Sequence, residues 1–393
     1  MHISKLLHKV FMSSSKNIDK RLHRTLLDAA VTLSDCRHLS IAGLGRCLKS
    51  TALVKHTIKR MDRLFGNVRL HERRKNYYQT MVKLLVGTNL RPVIIVDWSG
   101  LSRCGEYHFL RASVPVGGRA LTIWESSYRE KDYTSQKVHR AFIRELNALL
   151  PKDCCPIILT DAGFRCPWFK LIRKQGWDFV GRVRNTTQCR EDGGNTWIPV
   201  TAFHEMATRT ARYLFTGLLA KANPVLCHFY LLRGTKKHRV KKNLRGKKVQ
   251  ASASLKHGKR EREPWLLASS LSTDIYTPEQ IIALYKKRSQ IEEAFRDLKN
   301  TRNGFSLRHC LSFSIQRLNI ALLIAAIATL LLWIVGSIAK QQDQHVQFQA
   351  NTIRHRSVLS TFTIGWQYLK RKGQRLSQSM INQALDELQL CVI

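Results

Sequence analysis

Across 393 residues the chain carries 66 Lys and Arg against 27 Asp and Glu, a formal charge of +39. That length excludes one simple core and suits two or three domains. An excess of positive charge this large repels itself unless a polyanion offsets it, so nucleic acid is the expected partner, with a membrane surface as its rival.

The ten cysteines and fifteen histidines are scattered. No C-x-x-C pair and no H-E-x-x-H spacing occurs, so no zinc site is expected. The cysteine pattern fits a reducing cytoplasm. The N-terminus alternates basic and apolar residues and is not expected to be a secretory signal.

Residues 1–90 read as helical and basic, with 18 Lys and Arg against 5 Asp and Glu. LSIAGLGRCL, a turn near Lys49 to Thr51, and HTIKRMDRLFGN have the form of a helix-turn-helix. Ile58, Met61, Leu64 and Phe65 would be buried, leaving Lys55, Lys59, Arg60 and Arg63 for DNA phosphates.

The texture changes at residue 91. RPVIIVDWS reads as a buried strand ending at Asp97. EYHFLRASVPV and RALTIWESSY, parted by Gly117 and Gly118, read as a hairpin. An amphipathic helix follows over 135–149, and CPIILTDAGF gives a second buried strand ending at Asp161. CPWFKLIRKQ (helix) and GWDFVGRVR (strand) complete a β-β-β-α-β-α-β order, a mixed α/β arrangement. Trp98, Trp168 and Trp177 read as packing residues.

Residues 184–275 break this pattern into short β-like pieces. Within them, Arg233 to Arg262 hold 13 Lys and Arg against one acid, Glu261, a run suited to tracking a nucleic-acid backbone. EPWLLASS restores a strand at Trp265. A capping box then opens a helix, with Thr277 as N-cap, Pro278 at the first helical position and Gln280 closing the box.

Along that helix run Tyr285, Arg288, Glu292 and Lys299. At about 100° per residue the four fall within a stripe about 60° wide. A phenol, a guanidinium, a carboxylate and an ammonium in line suit a site that binds both a metal ion and a phosphate. Ile281, Ile282, Leu284, Ile291, Phe295 and Leu298 supply the packing face.

The remainder, 305–393, reads as helical. Residues 318–339 carry no charge, and Arg317 and Lys340 bracket them, as in a membrane span. Asn319, Thr329 and Ser337 inside the run favour a buried core helix, so no membrane association is expected.

Asp97 and Asp161 at strand ends, with Glu292 on a later helix, form the candidate active site, since sites in such sheets gather at the carboxyl ends of strands. Three carboxylates suit two Mg²⁺ or Mn²⁺ ions per active site. This order is that of the ribonuclease-H-like fold.

KHTIKRMDRLFGN, IIVDWS, LRASV, DAGFRCPWFK, GWDFVGRVR, EPWLLAS, YKKRSQIEEAFRDLK and FQANTIRHRSVLST resemble the DDE transposases of bacterial insertion sequences, in the IS-four group with its Y-x2-R-x3-E-x6-K signature. The likeness spans nearly the whole length. It implies cut-and-paste transposition through a DNA hairpin, with Asp97, Asp161 and Glu292 as catalytic metal ligands. Tyr285, Arg288 and Lys299 would grip a terminal phosphate, and Trp265 would stack a flipped base. A second Trp that some members carry after the Arg is Ser289 here.

The resemblance further implies a helical domain over 1–90 that binds the terminal inverted repeats. A ribonuclease-H-like catalytic core would be built from 91–183 and 276–304. A β-rich insertion with a basic arm would span 184–275, and a helical C-terminal region for synapsis 305–393. The expected partners are double-stranded DNA, as inverted repeats and target, and a second copy in a homodimeric synaptic complex. The expected location is the bacterial cytoplasm, at the nucleoid. A catalytically inactive DNA-binding regulator would share the charge and the N-terminal region.

Overall fold

The computed structural model describes residues 3–15, 18–101, 105–234, 263–311, 314–350, 352–353, 356–371 and 376–392. The basic arm expected over Arg233 to Arg262 lies, from residue 235 to 262, outside the described residues. The chain divides into two compact units, one of residues 1–156 and 289–393, the other of residues 157–288.

The first unit opens with helices α1 (Ile3–Val10), α2 (Lys20–Cys36), α3 (Ile41–Cys47), α4 (Val54–Phe65) and α5 (Val68–Leu85). Strands β1 (Val93–Gly100), β2 (Tyr107–Val116) and β3 (Arg119–Arg129) form an antiparallel meander in the order β3-β2-β1, followed by α6 (Gln136–Leu149). The β2–β3 turn uses Gly117 at φ 55° and Gly118 at φ 91°, where a side chain would be strained. Two successive positive φ values match the right-handed twist of the flanking strands.

The second unit runs β4 (Ile157–Thr160), α7 (Cys166–Lys174), β5 (Asp178–Val183), β6 (Gln188–Glu191), β7 (Ile198–Pro199), β8 (Arg212–Leu219), β9 (Val225–Leu232), β10 (Trp265–Ser269) and α8 (Pro278–Lys287). Strands β4 and β5 are parallel, and β10 joins β5 and β9 antiparallel to each. The capping box at Thr277 and Gln280 is present, with Pro278 in the first turn. Trp168 and Trp177 are both buried.

The chain then returns to the first unit with α9 (Ser289–Lys299), α10 (Ile315–Gln341), α11 (Thr361–Leu369) and α12 (Gln378–Val392). Helix α10 is long and apolar enough to cross a membrane, yet 94% of its most apolar window is buried. It packs on α2, α11 and β3 as the central helix of this unit. The polar residues Asn319, Thr329 and Ser337 within its apolar stretch are hydrogen-bonded. Asn319 accepts from the Ser127 N–H at 2.8 Å, Thr329 donates to Ala325 O at 2.8 Å, and Ser337 donates to Glu387 at 2.7 Å. Helices α10 and α11 cross at Gly336 and Gly365. A Cβ on Gly336 would stand 2.0 Å from Thr361 O, and one on Gly365 1.9 Å from Leu332 O, so only glycine permits this approach.

Candidate active site

In the first unit, Asp97 lies within β1, which extends three residues beyond it because Trp98, Ser99 and Gly100 pair with Leu110, Phe109 and His108 of β2. The strand does not end at Asp97 as the sequence predicts. The Asp97 carboxylate accepts the Trp98 N–H through Oδ1 at 2.8 Å. Side chains alternate across a strand, so Asp97 and Ser99 share one face and Trp98 takes the other. Trp98 packs as expected: its indole N–H donates to His139 Nε2 at 3.2 Å, and its ring meets those of Tyr128 and Tyr133.

Directly across from Asp97 sits Arg111, which in turn faces Glu125. Arg111 and Glu125 form a buried ion pair, with Nε to Oε2 at 2.8 Å and Nη2 to Oε2 at 2.6 Å. Tyr78 donates to the second Glu125 oxygen at 3.1 Å. Burial and the neighbouring Glu125 carboxylate push the Tyr78 phenol well up, so it remains a donor.

Helix α9 brings Glu292 and Lys299 to this unit. Glu292 occupies the first turn and is exposed, where a carboxylate complements the positive end of the helix dipole. Lys299 ends the helix. Its ammonium donates to Ser99 Oγ at 2.6 Å and lies 5.8 and 5.7 Å from the ring centres of Phe109 and Phe295. Burial first, then the cations Arg308 and Arg111, lower its pKa to about 8, while Asp97 pulls the other way.

In the second unit, Asp161 follows β4 directly, as predicted, and its Oδ1 accepts the Gly163 N–H at 2.8 Å. Tyr285 on α8 is buried, and its ring meets Trp265 edge to face with centres 5.2 Å apart. Burial pushes the Tyr285 phenol up to about 12. Arg288, Arg182 and Arg184 oppose that rise, and Asp161 adds to it. One phenol therefore has Asp161 and three arginines as electrostatic neighbours. The Arg288 guanidinium also lies 5.9 Å from the Tyr285 ring centre.

Arg182 and Arg184 escape the sequence reading. Arg182 lies on β5 and Arg184 directly follows the strand, and the Arg182 position pairs with Leu267 of β10, two residues from Trp265. Arg182 donates to the carbonyls of Glu263 and Pro264, at 3.0 and 3.2 Å, just ahead of Trp265. The period-two spacing of the two arginines in GRVR is the signal that could have found them.

The signature residues do not lie on one unbroken helix, as the sequence predicts. They divide between α8 and α9, which part at Arg288. The Arg288 backbone keeps helical angles, φ −53° and ψ −37°, but its N–H bonds Tyr285 O at 3.0 Å, one residue nearer than in an α-helix. Ile281, Ile282, Ile291, Phe295 and Leu298 are buried as expected, and Leu284 is half-buried.

Near the N-terminus, α3 and α4 pack together, with Thr57 donating to Gly45 O at 2.6 Å. Met61, Leu64 and Phe65 are buried, and Ile58 is half-buried. Lys55, Lys59 and Arg63 are exposed. Arg60 is turned inward, donating to Thr25 at 3.0 Å and pairing with Asp28 at 3.1 Å.

Among the described residues, neither unit holds three His, Cys, Asp or Glu side chains gathered for a metal ion. The donors that each unit offers are carboxylates, the hard oxygen ligands suited to Mg²⁺ and Mn²⁺.

The family model for the transposase DDE domain matches residues 88–331, well over half of the chain. None of the curated proteins compared with the chain matches it. The chain belongs to the transposases with a DDE domain, enzymes whose substrate is DNA.

Proposed function

We propose that this transposase moves a bacterial insertion sequence by cutting and pasting, as a member of the IS-four group nearest to the transposase of insertion sequence ten. One observation carries the reading. Each of the two aspartates has a signature residue as its electrostatic neighbour, Tyr285 for Asp161 and Lys299 for Asp97. Carboxylate and phosphate-binding groups set side by side suit phosphoryl transfer, where catalysis is largely positioning and charge stabilisation.

Asp97, Asp161 and Glu292 would hold two Mg²⁺ or Mn²⁺ ions, which supply an activated oxygen nucleophile and stabilise the departing 3′-oxygen. The backbone N–H bonds to Asp97 and Asp161 fix those carboxylates before any ligand arrives. Tyr285, Arg288 and Lys299 hold a terminal phosphate that carboxylates alone would repel. The freed 3′-hydroxyl attacks the opposite strand, forming one phosphodiester as another breaks, which leaves a hairpin. Trp265 stacks the base flipped out at that tight bend.

A ribonuclease-H-like core of residues 91–183 and 276–304 carries this chemistry, supported by the β-β-β-α-β-α-β order. Residues 1–90 bind the inverted repeats through Lys55, Lys59 and Arg63, with Arg60 bracing α4 against α2. The insertion of 184–275 tracks DNA backbone, and 305–393 serve synapsis of two protomers on two ends at the nucleoid.

Replacement of Asp161 by Ala tests the assignment. The variant is expected to bind end DNA as the wild type does and to cut nothing in Mg²⁺ or Mn²⁺. Cutting at the wild-type rate overturns it.

A further inference from the structure

Ser99 stands outside the Y-x2-R-x3-E-x6-K signature. It lies two residues beyond Asp97 on β1, and the alternation of a strand puts both on one face. Its hydroxyl accepts from Lys299 Nζ at 2.6 Å, so the ammonium is held on the face that bears Asp97. The rings of Phe109 and Phe295 stand beside the same ammonium and offer it no oxygen. A lysine ammonium has three donors on a flexible stem. One is directed at Ser99, which leaves two for phosphate oxygens and removes much of the side chain's freedom before DNA arrives.

We infer that Ser99 is a positioning residue, whose hydroxyl holds the Lys299 ammonium in place to receive a DNA phosphate next to Asp97. The inference rests on the phosphate-binding role proposed for Lys299. Preorganisation of this kind raises affinity by reducing the ordering cost at binding. Thr in place of Ser keeps the hydroxyl, and Ala removes it with little change in volume, so the two variants separate the bond from the packing.

The test uses the full chain in two parts. In the first, without DNA, Lys299 acetylation by acetic anhydride is followed by mass spectrometry, with the other lysines as internal reference. Ser99→Ala is expected to raise the rate at Lys299 alone, and Ser99→Thr to restore it. An unchanged rate in Ser99→Ala overturns the inference. In the second, binding is measured to nicked end DNA with and without a 5′-phosphate at the nick. Ser99→Ala is expected to lose about tenfold of the phosphate-dependent affinity, the scale of one charge-assisted hydrogen bond. Ser99→Thr should recover it, and Ser99→Ala should add nothing in a Lys299→Ala background. Additive losses, or no loss, overturn the inference. A wild type indifferent to the 5′-phosphate refutes the role of Lys299 instead, and the positioning role falls with it even where the acetylation result stands.

Discussion

The rings of Trp265 and Tyr285 meet edge to face with centres 5.2 Å apart, which joins the start of β10 to the first residue of the signature. Trp265 is half-buried and Tyr285 is buried, so the indole is the partner that still has surface to offer a base. Trp265→Ala is expected to slow hairpin formation by about 10- to 100-fold, the range given by stacking worth about 1–3 kcal/mol. First-strand nicking should change far less. Single-turnover assays on end DNA measure both steps, and equal slowing would remove the stacking role.

Glu292 is exposed on the first turn of α9, and exposed replacements usually stay within about 0.5 kcal/mol of the parent. Glu292→Gln should therefore leave thermal stability and end binding intact while abolishing cleavage. Loss of cleavage together with a large fall in melting temperature would point to a structural role.

The Arg111–Glu125 pair is buried on both sides. Arg111→Met strands a carboxylate in the interior, and breaking such a pair costs about 3–5 kcal/mol. Replacing both, as Arg111→Met with Glu125→Leu, should recover most of that loss. Urea unfolding of the three proteins checks this; a double variant as unstable as the single one would contradict it.

His139 accepts a hydrogen bond from Trp98 and is pushed down to about 4 by burial. Between that value and the ordinary pKa near 6.5, the unfolded chain takes up a proton that the folded one refuses. Stability should thus fall as pH drops from about 6.5 towards 4. His139→Phe should flatten that part of the curve, and denaturation midpoints at pH 5 and 7 measure it. An unchanged slope would show that other groups set it.

Much of this was legible in the sequence because it depends on local pattern. The glycine pair of the hairpin, the Thr277 capping box and the buried strand before Asp161 each follow from a few adjacent residues. Helix α10 was readable as core because its polar residues demanded partners, which His71, Ser127 and Glu387 help to supply. What was not legible depends on residues distant in the chain. The extension of β1 past Asp97 comes from pairing with β2, and Arg60 turns to Asp28 on a different helix. The break at Arg288 is a one-residue change in hydrogen bonding that leaves the apolar period undisturbed. The bond from Lys299 to Ser99 spans 200 residues and has no periodic trace.

In the proposed mechanism this chain cuts DNA ends through a hairpin with its own carboxylates. Purified protein, Mg²⁺ and linear DNA carrying the element's ends, resolved on a denaturing gel, test it most directly. Hairpin-ended fragments are expected from the wild type and none from Asp97→Ala. End binding with no cleavage by the wild type, in Mg²⁺ and in Mn²⁺, would contradict it and make the chain a DNA-binding regulator.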